Sequence, residues 1–328
     1  MAYVVMDPFM VLRSYDSFYN TEVGLNKDYI STTVFDRNYQ QERYDSFIFG
    51  NSRSMFYQIS DWENHLNGKH KCYHFDASGE SLYALVQKVK YIDCKGADIK
   101  NVLLVIDHST LVQDQPRGGH MNIISPQLVN YKNLMAFHAE FIKAFMSFKF
   151  LSAYFDYKIS GHVKPYMKKD NLIGNTESEA DVLTNEVRFP SSEALISKGL
   201  FYNEEKKKLF FKRDSIPKFS PPAIASNQKI LLQEIAGIFK RHKTNCKIII
   251  NPLYDQIKLN HSDLDFLKLT FGSAQVFDFS GINKFTNDYT NYYETSHYRP
   301  HVAREIMNIV YGDTLNSVVA NNQAVKLN

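Results

Sequence analysis

The sequence predicts a three-layer α/β/α fold, with a parallel sheet of about five strands between helices and a helical insertion. Three observations carry this reading. Short apolar runs end in turn residues at 46–49, 71–75, 100–106, 246–250 and 274–279. Between several of them apolar residues recur at helical spacing, as in Leu82, Leu85, Val86, Val89 and Ile92. The run Val102–Ile106 is apolar throughout, as expected of a central parallel strand covered on both faces. Strand–helix–strand order then implies right-handed crossovers.

Residues 1–43 form an N-terminal wrap, polar and aromatic with few periodic features. Its apolar start, Met1–Met6, fits the end of a membrane anchor or signal lying before it, and equally a plain first strand. The α/β domain spans 44–311. Its first strand ends at Gly50, and a helix is expected over about 54–65. The second strand leads to Asp76-Ala77-Ser78-Gly79-Glu80, and the third ends in Asp107-His108-Ser109-Thr110. The rhythm breaks over about 112–225. Phe, Tyr, Leu and Met at helical spacing over 126–158 predict two helices there, and Pro190, Pro217, Pro221 and Pro222 punctuate the stretch 160–222. Such an insertion belongs over the face that carries function. The rhythm resumes with a helix from Asn227, a strand at Cys246 and a helix capped by Ser262. The last helix begins near Pro300, and 312–328 read as a loose tail.

With 328 residues, 44% hydrophobic and 22% charged, the chain can build a large core. A net charge of +3 with mixed signs implies no nucleic-acid partner. No stretch of 18 apolar residues occurs. Cys72, Cys94 and Cys246 suit neither a zinc motif nor a disulfide framework, and Cys72 and Cys246 read as buried thiols. The abundance of Tyr and Asn is associated with extracytoplasmic proteins that handle carbohydrate.

The segment YDSFIFGNSRS, 44–54, reads as a buried strand, a tight turn and a helix start, the place where an α/β sheet presents a reactive group. A serine hydroxyl needs a base within hydrogen-bond reach, and the base needs an orienting carboxylate. Ser52 is the candidate nucleophile, His297 the base and Glu294 the orienting group, the last two held in one loop by their spacing. The Ser52 amide and Gly79 are candidate oxyanion donors, and Asn51 and Arg53 candidate substrate contacts. Other readings stay open. Ser52 or Ser54 also suits a helix N-cap, and Glu294-x-x-His297 suits an exposed turn. Gly50–Arg53 also suits a phosphate cradle in an unrelated binding protein. His297 and His301 have a metal-compatible spacing but no third clustered ligand, so no metal is expected.

These blocks resemble those of the SGNH, or GDSL, hydrolase superfamily, over about 44–110 and 228–311. Gly50-Asn51-Ser52 matches its nucleophile block, Gly79 its second-block glycine, and Glu294-Thr295-Ser296-His297 its D-x-x-H block with Glu for Asp. Its third block, G-x-N-D, falls at Ile106-Asp107-His108-Ser109, which puts His108 in place of the oxyanion-donating Asn. The resemblance implies a flavodoxin-like sheet and a cofactor-free serine esterase or O-acetyltransferase acting on acylated polysaccharide or another carbohydrate ester. FGNSRS and ETSHYRP look most like extracytoplasmic accessory proteins of polysaccharide or teichoic-acid O-acylation. That implies a cell-envelope location, an N-terminal anchor and a membrane-bound O-acyltransferase partner. The rival within the family is a degenerate member that binds glycan or the acyltransferase without doing chemistry.

Overall fold

The computed structural model describes residues 2–18, 21–171, 173–174 and 178–324. Its centre is a five-stranded sheet: β1 (Ser46–Gly50), β2 (Cys72–Asp76), β3 (Asn101–Ile106), β4 (Asn245–Ile250) and β5 (Val276–Asp278). The order is β2-β1-β3-β4-β5 and every pairing is parallel. The strands are buried on both faces, which explains their continuous apolar runs. Side chains alternate between two cores. Phe47, Phe49, Tyr73, Phe75, Leu104 and Ile248 enter one, and Ile48, Leu103, Val105 and Ile249 enter the other. Helices α1 (Lys27–Glu42), α2 (Leu82–Cys94), α5 (Ser226–His242) and α6 (His261–Phe271) cover the first face. The long helix α7 (Pro300–Ala324) and the short helix Ile59–Trp62 cover the second. The fold is three-layer α/β/α.

The insertion contains the expected helical pair, α3 (Leu134–Phe145) and α4 (Phe148–Ser160). Cys72 and Cys246 are buried thiols, whereas Cys94 is exposed.

Several expectations need correction. The N-terminal wrap contains α1, whose Ile30, Val34, Phe35 and Tyr39 belong to the main core. Its buried face also carries Ser31 and Thr32, so no clean apolar stripe marks it, although Asn26 caps it by accepting from Tyr29 N. Ala2–Met6 is a short helix, not a strand. The expected helix over 54–65 is three pieces: a 3-10 turn at Ser52–Phe56, a helix at Ile59–Trp62 and a second 3-10 turn at Glu63–His65. Extended backbone at Tyr57 and Gln58 breaks it, which lets Phe56, Tyr57, Ile59 and Trp62 all reach the core. The fifth strand is shorter than expected because Ser273–Gln275 forms a 3-10 turn. α7 runs on through Ala324, where a loose tail was expected; no proline stops it, and Gly312 costs a helix only about 1 kcal/mol relative to alanine. The remaining tail, 325–328, lies outside the described residues. Among the described residues no helix is long and apolar enough to cross a membrane.

Candidate active site

The strand order reverses between β1 and β3, whose neighbours β2 and β4 lie on opposite sides. Open α/β sheets bind ligands outside the carboxyl ends of strands at such a switch point. Ser52 follows β1 at this place, and Asp107 follows β3.

The turn after β1 depends on Gly50. A Cβ there would lie 2.5 Å from Val105 O of β3 and 2.8 Å from Ser54 Cβ. The chain then bends into the 3-10 turn, and Asn51 caps it by accepting from Arg53 N at 3.0 Å. The cap is therefore Asn51 and not Ser52 or Ser54. Ser54 donates to Asn51 O and meets His74 Nε2 at 2.9 Å. The Ser52 hydroxyl is left for another partner. It lies 2.8 Å from His297 Nε2.

A hairpin explains how Glu294 and His297 converge. Tyr292–Glu294 pairs antiparallel with His297–Tyr298 across the turn Thr295-Ser296, and Glu294 is the direct partner of His297. Side chains of such partners share one face of the hairpin, with Cβ atoms about 5 Å apart. His297 Nδ1 contacts Glu294 Oε1, and Glu294 Oε2 accepts from Ser296 N at 2.8 Å. Burial pushes the Glu294 carboxyl up, but the His297 hydrogen bond and charge and the Ser296 amide outweigh it. The carboxyl is held below its ordinary value. The His297 ring packs edge-on against buried Phe56, centroids 5.8 Å apart.

The insertion braces this hairpin. Glu193 accepts from Tyr293 Oη at 2.6 Å and from Arg299 Nη2 at 2.7 Å, and Tyr202 Oη lies 2.8 Å from Tyr292 O.

Asn51 and Arg53, the candidate substrate contacts, build a hub on buried Asp107. Its carboxylate accepts from Asn51 Nδ2 at 2.8 Å, Arg53 Nη1 at 2.8 Å, Asn251 Nδ2 at 3.0 Å and Ser109 Oγ at 2.5 Å. Burial raises its pKa, but the Arg53 charge and these donors more than reverse that, so the net shift is downward. Arg53 also donates through Nε to Ser296 O at 3.0 Å. One guanidinium thus ties the Ser52 turn, the β3 turn and the hairpin together. Tyr298 Oη donates to Asn251 Oδ1 at 2.8 Å and extends the hub beneath the hairpin. Reasoning from sequence missed Asp107, Asn251 and His74 as site-builders. The first two were signalled as the polar residues that directly follow the apolar runs of β3 and β4.

The oxyanion candidates differ in their placement. The N–H of Ser52 opens the 3-10 turn and has no partner among the described residues. Gly79 stands three residues beyond β2 at φ +59°, and its carbonyl accepts from Arg117 Nη1 at 2.5 Å. Its N–H is also unpartnered among the described residues, but Gly79 shares no hydrogen bond with the triad. His108 does not join the triad. It lines a cavity of about 270 Å³ with Arg53, Asp107, Asn251 and the insertion's Phe219 and Pro221. There its Nε2 is buried without a partner among the described residues. The insertion thus reaches over the carboxyl edge of the sheet as expected. His301, the other half of the metal-compatible pair, meets Asn291 Oδ1 at 2.8 Å. A larger, shallow depression of about 790 Å³, lined by Phe210, Arg213, Tyr254 and Tyr289, contains none of the triad residues.

No protein-family model matches the chain, and no curated protein matches it.

Proposed function

We propose that the chain is a serine esterase or O-acetyltransferase acting on acylated carbohydrate. The observation that carries this is the contact from Ser52 Oγ to His297 Nε2 at 2.8 Å, continued from His297 Nδ1 to Glu294. Ser52 Oγ attacks the acyl carbonyl carbon as its proton passes to His297 Nε2. Glu294 accepts from the Nδ1–H, which fixes the tautomer that leaves Nε2 free to take that proton. The Ser52 N–H, with Gly79 N–H as the family's second donor, faces the developing oxyanion. His297 then returns the proton to the departing sugar oxygen, which leaves an acyl-serine. Water or a sugar hydroxyl attacks that ester by the reverse sequence. The carbohydrate ester, the cell-envelope setting and a membrane-bound O-acyltransferase partner are what the resemblance to SGNH hydrolases implies for this chemistry.

The test is hydrolysis of an acetyl ester, read beside labelling of Ser52 by a fluorophosphonate, in wild type and Ser52→Ala. Loss of a triad nucleophile costs on the order of 10⁴- to 10⁶-fold. Equal rates in the two proteins would remove Ser52 from the mechanism.

One observation favours a second reading, a degenerate SGNH-type protein that binds glycan or an acyltransferase. The β3 turn presents His108 and an engaged Asp107 where the family places an oxyanion-donating Asn. Loss of one such donor costs roughly 10²- to 10³-fold in rate. A wild-type chain that binds glycan but neither labels nor hydrolyses fits this reading.

A further inference from the structure

The insertion's helical pair carries apolar residues that the core does not use. α3 buries Phe137, Phe141 and Phe145. Its opposite side exposes Met135, Ala139, Ile142 and Met146, at i, i+4, i+7 and i+11. α4 buries Phe150, Ala153 and Tyr154 while exposing the apolar Phe148, Phe155 and Ile159 at i, i+7 and i+11, with Ser152 at i+4, whose hydroxyl donates to Lys149 O at 3.2 Å. That spacing draws one straight stripe along a helix, about 16 Å long. The exposures are high: Phe148 and Ile159 are each 86% accessible and Met135 85%. The buried sides of the two helices meet in one cluster, with Phe145 against Phe150 at 6.1 Å and Phe9 against Phe150 at 4.8 Å. The helices are joined through Met146 and Ser147 only, so the two stripes meet at the turn, where Met146 and Phe148 are exposed. The short helix Ala2–Met6 packs on the same cluster through Tyr3 and leaves Val4 and Val5 exposed beside it.

The charge around these stripes is positive. Lys143 on α3, next to Ile142 of the stripe, and Lys132, in the turn just before α3, are exposed and have no ion pair among the described residues. The acidic residues of the two helices are engaged. Glu140 accepts from Gly119 N at 3.1 Å, and Asp156 pairs with Lys164 at 2.7 Å.

We propose that this helical pair docks on an anionic lipid bilayer, its apolar stripes entering the headgroup–acyl boundary and its lysines lying at the level of the phosphates. Interfacial helices combine an apolar face with flanking lysines in this way. Protein interfaces favour Met and Phe but are depleted in Lys, so the lysine flanks select a membrane over a protein partner. A bilayer also demands no matching groove, and these stripes lie on convex helix surfaces. The inference does not rest on the chemistry at Ser52.

The test is co-sedimentation of the full chain with phosphatidylcholine vesicles, with and without phosphatidylglycerol. Wild type sediments with the anionic vesicles. Phe148→Ser/Ile159→Ser lowers that partitioning by about tenfold or more. Lys132→Glu/Lys143→Glu lowers it by about 30-fold or more on anionic vesicles only, as expected for about 1 kcal/mol per lysine near such a surface. The replaced residues are exposed, so an unchanged thermal midpoint and labelling rate accompany the loss. Absence of sedimentation by wild type overturns the proposal, as does equal sedimentation of the variants. Concentration-dependent self-association that Phe148→Ser/Ile159→Ser abolishes, without vesicle binding, assigns the face to a second copy of the chain instead.

Discussion

Arg53→Lys separates holding the site together from merely carrying a charge near it. The guanidinium spans two partners, Asp107 Oδ2 at 2.8 Å through Nη1 and Ser296 O at 3.0 Å through Nε. A lysine keeps the positive charge, so Asp107 is not left as an uncompensated buried anion. Its single ammonium lacks the rigid fork and serves one partner at a time. The substitution therefore removes about one charge-assisted hydrogen bond, about 1.5–3 kcal/mol of stability. The carboxylate outcompetes the carbonyl, so the contact to Ser296 is the one lost. Ser296 precedes His297 in the hairpin turn, and a base displaced by about 1 Å costs on the order of 100-fold. Urea unfolding reads the first effect, and the rate of fluorophosphonate labelling at Ser52 reads the second. If Arg53→Lys shifts neither the urea midpoint nor the labelling rate, the guanidinium does not hold the hairpin and the reasoning fails.

Gly50→Ala places a methyl 2.5 Å from Val105 O, a backbone atom of the central strand, and is expected to cost about 3 kcal/mol in urea unfolding; a wild-type midpoint would show that the turn has slack. His74→Gln tests pH dependence. Ser54 Oγ donates to Asn51 O, so His74 Nε2 carries the proton given to Ser54, and Nδ1 is buried without a partner among the described residues. Burial, with the charges of Lys27 and Lys88 and against that of Asp76, pushes the His74 pKa down to about 4 from 6.5. The folded value lies below the unfolded one. His74 therefore contributes its full stability above pH 6.5 and loses it as the pH falls toward 4, about 3 kcal/mol over that window. In His74→Gln the fall in unfolding free energy between pH 7 and 4 shrinks by about that amount, and an unchanged fall would mean that His74 titrates normally.

The sheet was legible because its central strands are buried on both faces, and all five apolar runs coincide with strands to within about two residues. α1 was not, because buried Ser31 and Thr32 interrupt its apolar face while bonding to the carbonyls of Asp76 and Asp28. The break at Tyr57 and Gln58 was equally hidden. Nothing local marks it, and it is set by where Phe56 and Trp62 must pack. Within the site, the convergence of Ser52, Glu294 and His297 could be read because serine after a buried strand and a carboxylate three residues before a histidine are residue types with few alternatives in such places. Arg53 and Asn51 were picked out, but their partner was not. Asp107 becomes a hub only when β1, β3 and β4 lie side by side, a relation between residues up to 144 positions apart.

The separation of 245 residues between Ser52 and His297 also orders events in time. A chain is made from its N-terminus at about 5–20 residues per second, so roughly 10 to 50 s pass between synthesis of the serine and of the histidine. Through that interval the strand, turn and cap around Ser52 have the residues they need, but its hydroxyl remains a plain alcohol. Glu294 and His297 are made together, on the two strands of one hairpin with a two-residue turn. The contact between Ser52 and His297 is thus completed late, after the insertion that braces the hairpin has been made.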